Sequence, residues 1–251
     1  MNKGFVIMAQ NTTSTDYVSC AEVLRKSILN VMPNSNVTII IDLPYGDQAP
    51  DSEWKLINDW QVYEASPYEY TIKLEADMVV PYNIEYWWDI LCDRDIIVSN
   101  TIRNYKGEIS DYKSYRNFIV DNELPDVYNA ITYFKKSETA KQFYKIVRNV
   151  FENWEEYKTI FKCNKDEIAT TDWVYAIACH IMGVENTTLP NFNQFSMVHM
   201  KQHINNLMSE NWTNELVYEC EGHLRINTFP QYHPFHYHIK DFSKILGEYY
   251  G

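Results

Sequence analysis

Two carboxylates one residue apart, Glu75 and Asp77, stand at the end of the stretch Tyr70-Thr71-Ile72-Lys73-Leu74-Glu75-Ala76-Asp77-Met78-Val79-Val80. The apolar residues Ile72, Leu74, Val79 and Val80 suit a sheet interior, and in a strand positions 75 and 77 share a face, so both acids can address one object. Like charges flanked by hydrophobic residues repel unless something positive lies between them. Hard carboxylate oxygens suit Mg2+ or Mn2+, so the pair predicts a metal site, with solvated acids at a strand end as the plain alternative. Lys73 lies on the same face and either neutralises the pair or reaches a diphosphate. A third acid, Asp172, sits in the nearly all-apolar run Asp166–Met182. A buried carboxylate without partners is costly, so Asp172 is either capped by Thr170 and Thr171 or functional. His199 reads as structural.

The elements that position these groups read as alternating strands and helices. Gly4–Ala9 is a short apolar run that predicts a first buried strand, and Val37–Leu43 a second. Between them Tyr17–Met32 carries a helical stripe of Tyr17, Cys20 or Ala21, Leu24, Ile28 and Val31, with Thr15 or Asp16 as the cap and Pro33-Asn34 as the stop. That order predicts a parallel βαβ unit. Further along, helices are expected over Ser52–Asp59, Asn83–Cys92, Asp111–Asp121, a long stretch capped by Ser137, Asp166–Met182 up to Gly183, Ile204–Trp212 and Asp241–Tyr249. The last has Phe242, Ile245 and Leu246 on one side. Strands are expected over Gln61–Ala65, Asp95–Ser99 and Val127–Phe134. The tyrosine-rich stretch from Thr101 to Pro125 reads as a lid or acceptor-contacting segment. No repeat, low-complexity segment or linker divides the chain, which predicts one α/β domain over residues 1–251 with ligands bound beyond the carboxyl ends of the strands.

Composition narrows the partners. The net charge is −12 and no basic run occurs, which argues against gripping duplex DNA, whose phosphates need Lys and Arg. The 20 Tyr, 11 Phe and 7 Trp serve a core and can also stack on bases or sugars. Apolar runs fall short of a membrane span, and Met1-Asn2-Lys3-Gly4 leads straight into strand-like sequence without a signal peptide, so a cytoplasmic protein without a membrane partner is expected. Cys20, Cys92, Cys163, Cys179 and Cys220 form no Cys-x-x-Cys pair and read as buried thiols of a reducing compartment.

The order of these features resembles the glycogenin-like nucleotide-sugar glycosyltransferases, metal-dependent enzymes of the GT-A fold, and a set of glycosyltransferase-like proteins encoded by tailed phages. Tyr17, opening the helix that runs through Ala21 to Leu29, is similar to the family tyrosine that stacks on the nucleotide base. Glu75-Ala76-Asp77 stands where the family has Asp-x-Asp. Tyr128-Asn129-Ala130 followed by Tyr133-Phe134 looks like the Asn-containing strand that lines the sugar site, and Thr171-Asp172 matches the acidic position near the transferred sugar. The family's metal-binding His on a late strand is matched by His236 or His238, with His236 favoured because it follows an apolar run. Its diphosphate-contacting Lys is matched by Lys240 or Lys244. The chain departs from the pattern at Glu75, which replaces an Asp, and at Ile131, where the family has a Gly after its Asn. Glu ligates a metal or reaches a ribose hydroxyl through one extra methylene.

The resemblance runs from about Gly4 to Lys244. It implies a Rossmann-like, mostly parallel, twisted sheet with helices on both faces, its residues 1–100 forming a nucleotide-binding half and 101–251 an acceptor- and sugar-binding half. It implies transfer of a sugar from a nucleoside diphosphate sugar, with UDP as the expected nucleotide, to a glycan, a protein or a modified base. Mn2+ or Mg2+ would be held by Asp77, Glu75 and His236 or His238. Tyr17, Lys73, Glu75, Lys240 and Lys244 would contact the donor, and Asp172 and Asn129 the reacting sugar. Two alternatives stand beside it: a phage-type transferase acting on a modified DNA base or nucleotide in the host cytoplasm, and a non-catalytic carbohydrate-binding or structural protein of the same fold.

Overall fold

The apolar run near the N-terminus forms β1 (Lys3–Met8) in the computed structural model, which describes residues 2–164, 167–189, 192–206, 212–218 and 223–250. Asp16 caps α1 (Tyr17–Val31) by accepting the Ser19 N–H, which satisfies one amide that the first helical turn leaves free. β2 (Val37–Ile40) is shorter than the expected Val37–Leu43 and lies at a sheet edge, with Ile41 52% exposed, because β-branched composition marks a strand and not its burial. The helix expected over Ser52–Asp59 is a 3-10 helix, Lys55–Gln61, and it runs directly into α2 (Val62–Ala65). Gln61–Ala65 is therefore not a strand. Its consecutive residues Val62 and Tyr63 are both buried, and Gln61 accepts the Tyr45 N–H and donates to the Gly46 carbonyl, which ties the helical turn to the preceding loop.

The acid-bearing stretch is two strands rather than one. β3 (Tyr70–Glu75) ends at the first acid, Ala76 and Asp77 form a turn, and β4 (Met78–Val79) joins a different sheet. α3 (Tyr86–Leu91), β5 (Ile96–Ser99) and the short hairpin β6 (Ile102–Arg103) and β7 (Ile109–Ser110) follow. α4 (Asn117–Asp121) fills only the end of the helix expected from Asp111. β8 (Tyr128–Lys135) leads to α5 (Glu138–Glu152), capped by Ser137 as its sequence implies, and to α6 (Trp154–Tyr157). α7 (Thr171–Met182) starts later than expected because the Thr170 hydroxyl accepts the Trp173 N–H and fixes the first turn; Asp166 lies outside the described residues. Gly183, at φ 92°, stops it.

The last third comprises α8 (Val184–Thr187), β9 (Met197–His199), α9 (Gln202–Asn205), β10 (Leu216–Tyr218), β11 (Leu224–Ile226), β12 (Phe229–Pro230), β13 (Phe235–His236) and α10 (Phe242–Tyr250). The helix expected over Ile204–Trp212 falls largely on residues outside the described set. In α10 Phe242 and Leu246 are buried one turn apart, whereas Ile245 points off that line and is 42% exposed. Cys20 and Cys179 are buried free thiols; Cys92 and Cys163 are free but only half-buried, and Cys220 lies outside the described residues.

A five-stranded sheet ordered β2-β1-β3-β8-β5 carries the site, with β2, β1 and β3 parallel and β8 antiparallel to both β3 and β5. Alternate side chains divide its two faces. Phe5, Ile7, Ile72 and Leu74 pack with Leu24, Ile28, Trp87 and Leu91 of α1 and α3. Val6, Ile96, Val98 and Phe134 pack with Phe143, Val147, Tyr175 and Ala178 of α5 and α7. Each fully buried Val, Leu, Ile or Phe among them contributes about 1.5–3 kcal/mol, so both helical layers are firmly seated. A second five-stranded sheet, β4-β13-β9-β6-β7, has its own apolar cluster of Val79, Val198, Phe235, Phe242 and Leu246. The architecture is the α/β class with helices on both faces. The carboxyl ends of β1 and β3 open where the first sheet hands the chain to the second.

Candidate active site

At that opening Met8 lies beside Glu75, and a cavity of about 630 Å³ begins. Glu75 comes from the last residue of β3, Asp77 from the turn, and His236 from β13, which pairs with β4 through His236 and Met78. His236 Nε2 lies 3.3 Å from Glu75 Oε2 and 3.1 Å from Asp77 Oδ2. The Lys240 ammonium ion-pairs with the same Asp77 oxygen and sits 5.4 Å over the Tyr17 ring. The two acids thus converge, as the shared-face reading expects, but through a turn rather than through strand pleat.

The charge states of the acids differ. Burial alone would raise the Asp77 carboxyl, yet His236 and Lys240 outweigh it and hold Asp77 well below the usual carboxylate range. Glu75 goes the other way: burial pushes its carboxyl up, and His236 and Lys73 offset that only in part. Burial would also lower Lys240, but Asp77 raises it. The donor atoms of Glu75, Asp77 and His236 lie within 4.8 Å of one another. Two carboxylate oxygens and one imidazole nitrogen are a donor set that fits Mn2+ and, with fewer nitrogen ligands, Mg2+.

A second wall comes from α7 and β8. Asp172 is not capped by its threonines: it pairs with Arg116 at 2.8 Å and accepts the Asn129 N–H at 2.9 Å. Arg116 also ion-pairs with Asp126 at 2.6 Å, donates to the Val127 carbonyl and lies 4.2 Å over the Tyr128 ring. Asp172 outweighs the effect of burial and raises the Arg116 guanidinium above its ordinary value. Between the two walls stand three histidines. His238 Nε2 is 3.2 Å from His199 Nδ1, and the His236 and His238 ring centroids lie 3.8 Å apart with their planes tilted by 35°. His238 has φ 58°, in the left-handed region, which ends the strand alternation and brings its ring beside that of His236. Burial, with neighbouring histidines, holds His199 and His238 well below the usual imidazole range, so both are neutral.

Of the residues singled out from sequence, Tyr17, Lys73, Glu75, Asp77, Asp172 and Lys240 line the cavity, as do His236 and His238. Two do not. Lys244 is 80% exposed and pairs with Asp241. The Asn129 side chain is fully buried away from the cavity, whose wall here is Tyr128 and Ala130; only its backbone reaches Asp172. Lys73 neither neutralises the acid pair by contact nor stands free: it faces the α5 and α7 layer and ion-pairs with Asp59 at 2.7 Å. His199, read as structural, is a cavity residue in contact with His238 and Tyr128. Arg116, Tyr115, Lys201 and Asp59 also line the cavity; the first two lie in the polar, tyrosine-rich stretch 101–125, and the other two carried no sequence signal for a site.

No protein-family model matches the chain, and no curated protein sequence matches it. Solved structures do. The chain is similar to the apo form of the glycosyltransferase GlyE of Streptococcus pneumoniae TIGR4, at 11% identity and TM-score 0.50, over 100% of this chain and 60% of that one. It is similar to the galactosyltransferase LgtC in complex with donor and acceptor sugar analogues, at 12% identity and TM-score 0.50, over 99% of this chain and 95% of that one. The WbbM bifunctional glycosyltransferase aligns at 12% identity and TM-score 0.45 over 75% of this chain and 39% of its own length. The chain therefore spans 39% of WbbM and 60% of GlyE. At these identities the likeness to GlyE and LgtC is one of fold: parallel-rich sheets flanked by helices, in the arrangement of GT-A glycosyltransferases. No helix among the described residues is long and apolar enough to cross a membrane.

Proposed function

We propose that this chain is a metal-dependent glycosyltransferase that moves a sugar from a nucleoside diphosphate sugar to an acceptor hydroxyl. The observation that carries the reading is the convergence of Glu75, Asp77 and His236, with Lys240 beside them, at the carboxyl ends of β1 and β3. The GT-A-like fold supports it, and the sequence resemblance to glycogenin-like enzymes supports UDP as the nucleotide. Residues 1–100 contribute Tyr17, Glu75 and Asp77, and residues 101–251 contribute Asp172, His236 and Lys240, in keeping with a nucleotide-binding half and a sugar-binding half of one domain.

Asp77, Glu75 and His236 would hold the cation, with Asp77 as the permanent anion. When bound, a divalent cation supplies Lewis-acid stabilisation of charge on a departing diphosphate. Lys240 adds a preorganised positive charge at the same place, fixed by Asp77 and by the Tyr17 face. Tyr17 offers its ring to the base. Asp172, paired with Arg116, faces the cavity as an acceptor for sugar hydroxyls and as a counter-charge to positive character developing on the transferred sugar. Asn129 acts through its N–H, which orients Asp172.

The test is a screen of nucleotide sugars for Mn2+-dependent hydrolysis and transfer. Release of nucleoside diphosphate that requires metal is the expected result. A Glu75→Ala/Asp77→Ala double variant that kept normal metal-dependent turnover would falsify the assignment.

A further inference from the structure

Among the described residues, five basic side chains other than histidine line the cavity, and four of them have a carboxylate partner. Lys55 pairs with Asp47, Lys73 with Asp59, Arg116 with Asp126 and Asp172, and Lys240 with Asp77. The fifth, Lys201, forms no ion pair among the described residues; its ammonium lies 4.7 Å over the Tyr115 ring. A cation in a cavity wall that is met only by an aromatic face has unused capacity for a charge-assisted hydrogen bond.

The contacts around Lys201 tie it to the wall that carries Asp172. It follows β9, whose His199 touches Tyr128, and Tyr128 lies under Arg116, the partner of Asp172. Tyr17 and Lys240 stand together beside Asp77. From Tyr115 an aromatic step runs outward. Tyr115 stacks on Tyr112 with ring centroids 6.3 Å apart and planes at 20°, and His203 lies 5.3 Å from Tyr115 and 6.2 Å from Tyr112. Tyr112 is 42% exposed, so the step leads from the cavity wall to the surface. Aromatic faces of this kind take the C–H face of a sugar ring, and a neutral sugar would leave Lys201 unmatched. With a net charge of −12, an anion entering here must be met by a local cation.

We propose that Lys201, with Tyr115, Tyr112 and His203, forms an acceptor subsite for a glycan that carries a carboxylate or phosphate group. This rests on reading the cavity as a site of glycosyl transfer. The anion pairs with the Lys201 ammonium while its sugar ring lies along the tyrosine step, which sets the acceptor hydroxyl toward Asp172.

The full chain is titrated with methyl β-glucuronide, with glucose 6-phosphate and with the neutral methyl β-glucoside, each alone and with UDP plus Mn2+, and binding is read by saturation-transfer NMR. At least one of the charged sugars binds about tenfold more tightly than the glucoside. Lys201→Gln abolishes that preference, Lys201→Arg keeps it, and Tyr112→Ala weakens charged and neutral sugars alike, all without changing UDP–Mn2+ binding. Equal binding of all three sugars, or binding of none, overturns the proposal. So does a Lys201→Gln variant with weakened UDP–Mn2+ binding, which assigns the lysine to the donor diphosphate. Failure of UDP and other nucleoside diphosphates to bind with metal counts against the transferase reading instead, while the sugar titrations without nucleotide still decide on the anion subsite.

Discussion

Glu75 and Asp77 flank Ala76 and share His236, yet their surroundings assign them opposite duties. Asp77, 6% exposed, is held ionised by His236 and Lys240. Glu75, 26% exposed, has its carboxyl raised by burial, so its ionised form costs the folded chain stability as pH rises through that elevated value. Replacing it removes the cost. Glu75→Gln is expected to raise the melting temperature of the metal-free chain at neutral pH by a few degrees and to shrink the further rise caused by Mn2+, as read by thermal melts with and without chelator. Arg116 illustrates the opposite case. It is 5% exposed and is the shared partner of Asp126 and Asp172, so Arg116→Met leaves two partly buried carboxylates without a cation. A loss of about 3 kcal/mol in urea unfolding is expected, with Arg116→Lys losing less because charge survives but the fork geometry does not.

The elements legible in the chain are those whose signals are local. β1, α1 and α5 declare themselves by an apolar run or by a cap followed by a helical period, and Asp16 and Ser137 cap where their types suggest. The acid pair was legible for the same reason. What was not legible is set by distant partners. Asp172 is satisfied by Arg116, 56 residues away, so its neighbours Thr170 and Thr171 were misleading. Val62 and Tyr63 fit a strand or a helix by type, and only their place after Lys55–Gln61 decides. Lys73 points to the face opposite Ile72 and Leu74, where the 3-10 helix delivers Asp59 and α7 delivers Tyr175, whose hydroxyl donates to Asp59. Such a buried pair is costly to halve and cheaper to remove whole. Lys73→Met or Asp59→Asn alone is expected to cost about 3 kcal/mol, and the double variant less than the sum, by a double-mutant cycle in urea.

At the scale of the molecule, the site is a seam: Glu75 ends a strand of the first sheet, and His236 belongs to the second. The second sheet's neighbourhood also carries an acid-sensitive group. Burial, with Arg103 nearby, lowers His233 from 6.5 to about 4. The unfolded chain therefore binds a proton that the folded chain refuses between those values, so this contribution is complete above 6.5 and is lost as pH falls toward about 4. The urea midpoint of the metal-free chain is expected to drop across that window, and His233→Gln to flatten part of the drop. The seam has a further consequence in time. Asp77 meets His236 and Lys240 across 159 and 163 residues of chain. On the ribosome β1, α1 and β3 emerge long before β13 does, and through that interval Asp77 has neither partner. A carboxylate without a cation resists being sealed behind Met78 and Val79. The junction between the two sheets at Asp77 therefore closes only once the strand bearing His236 has been made.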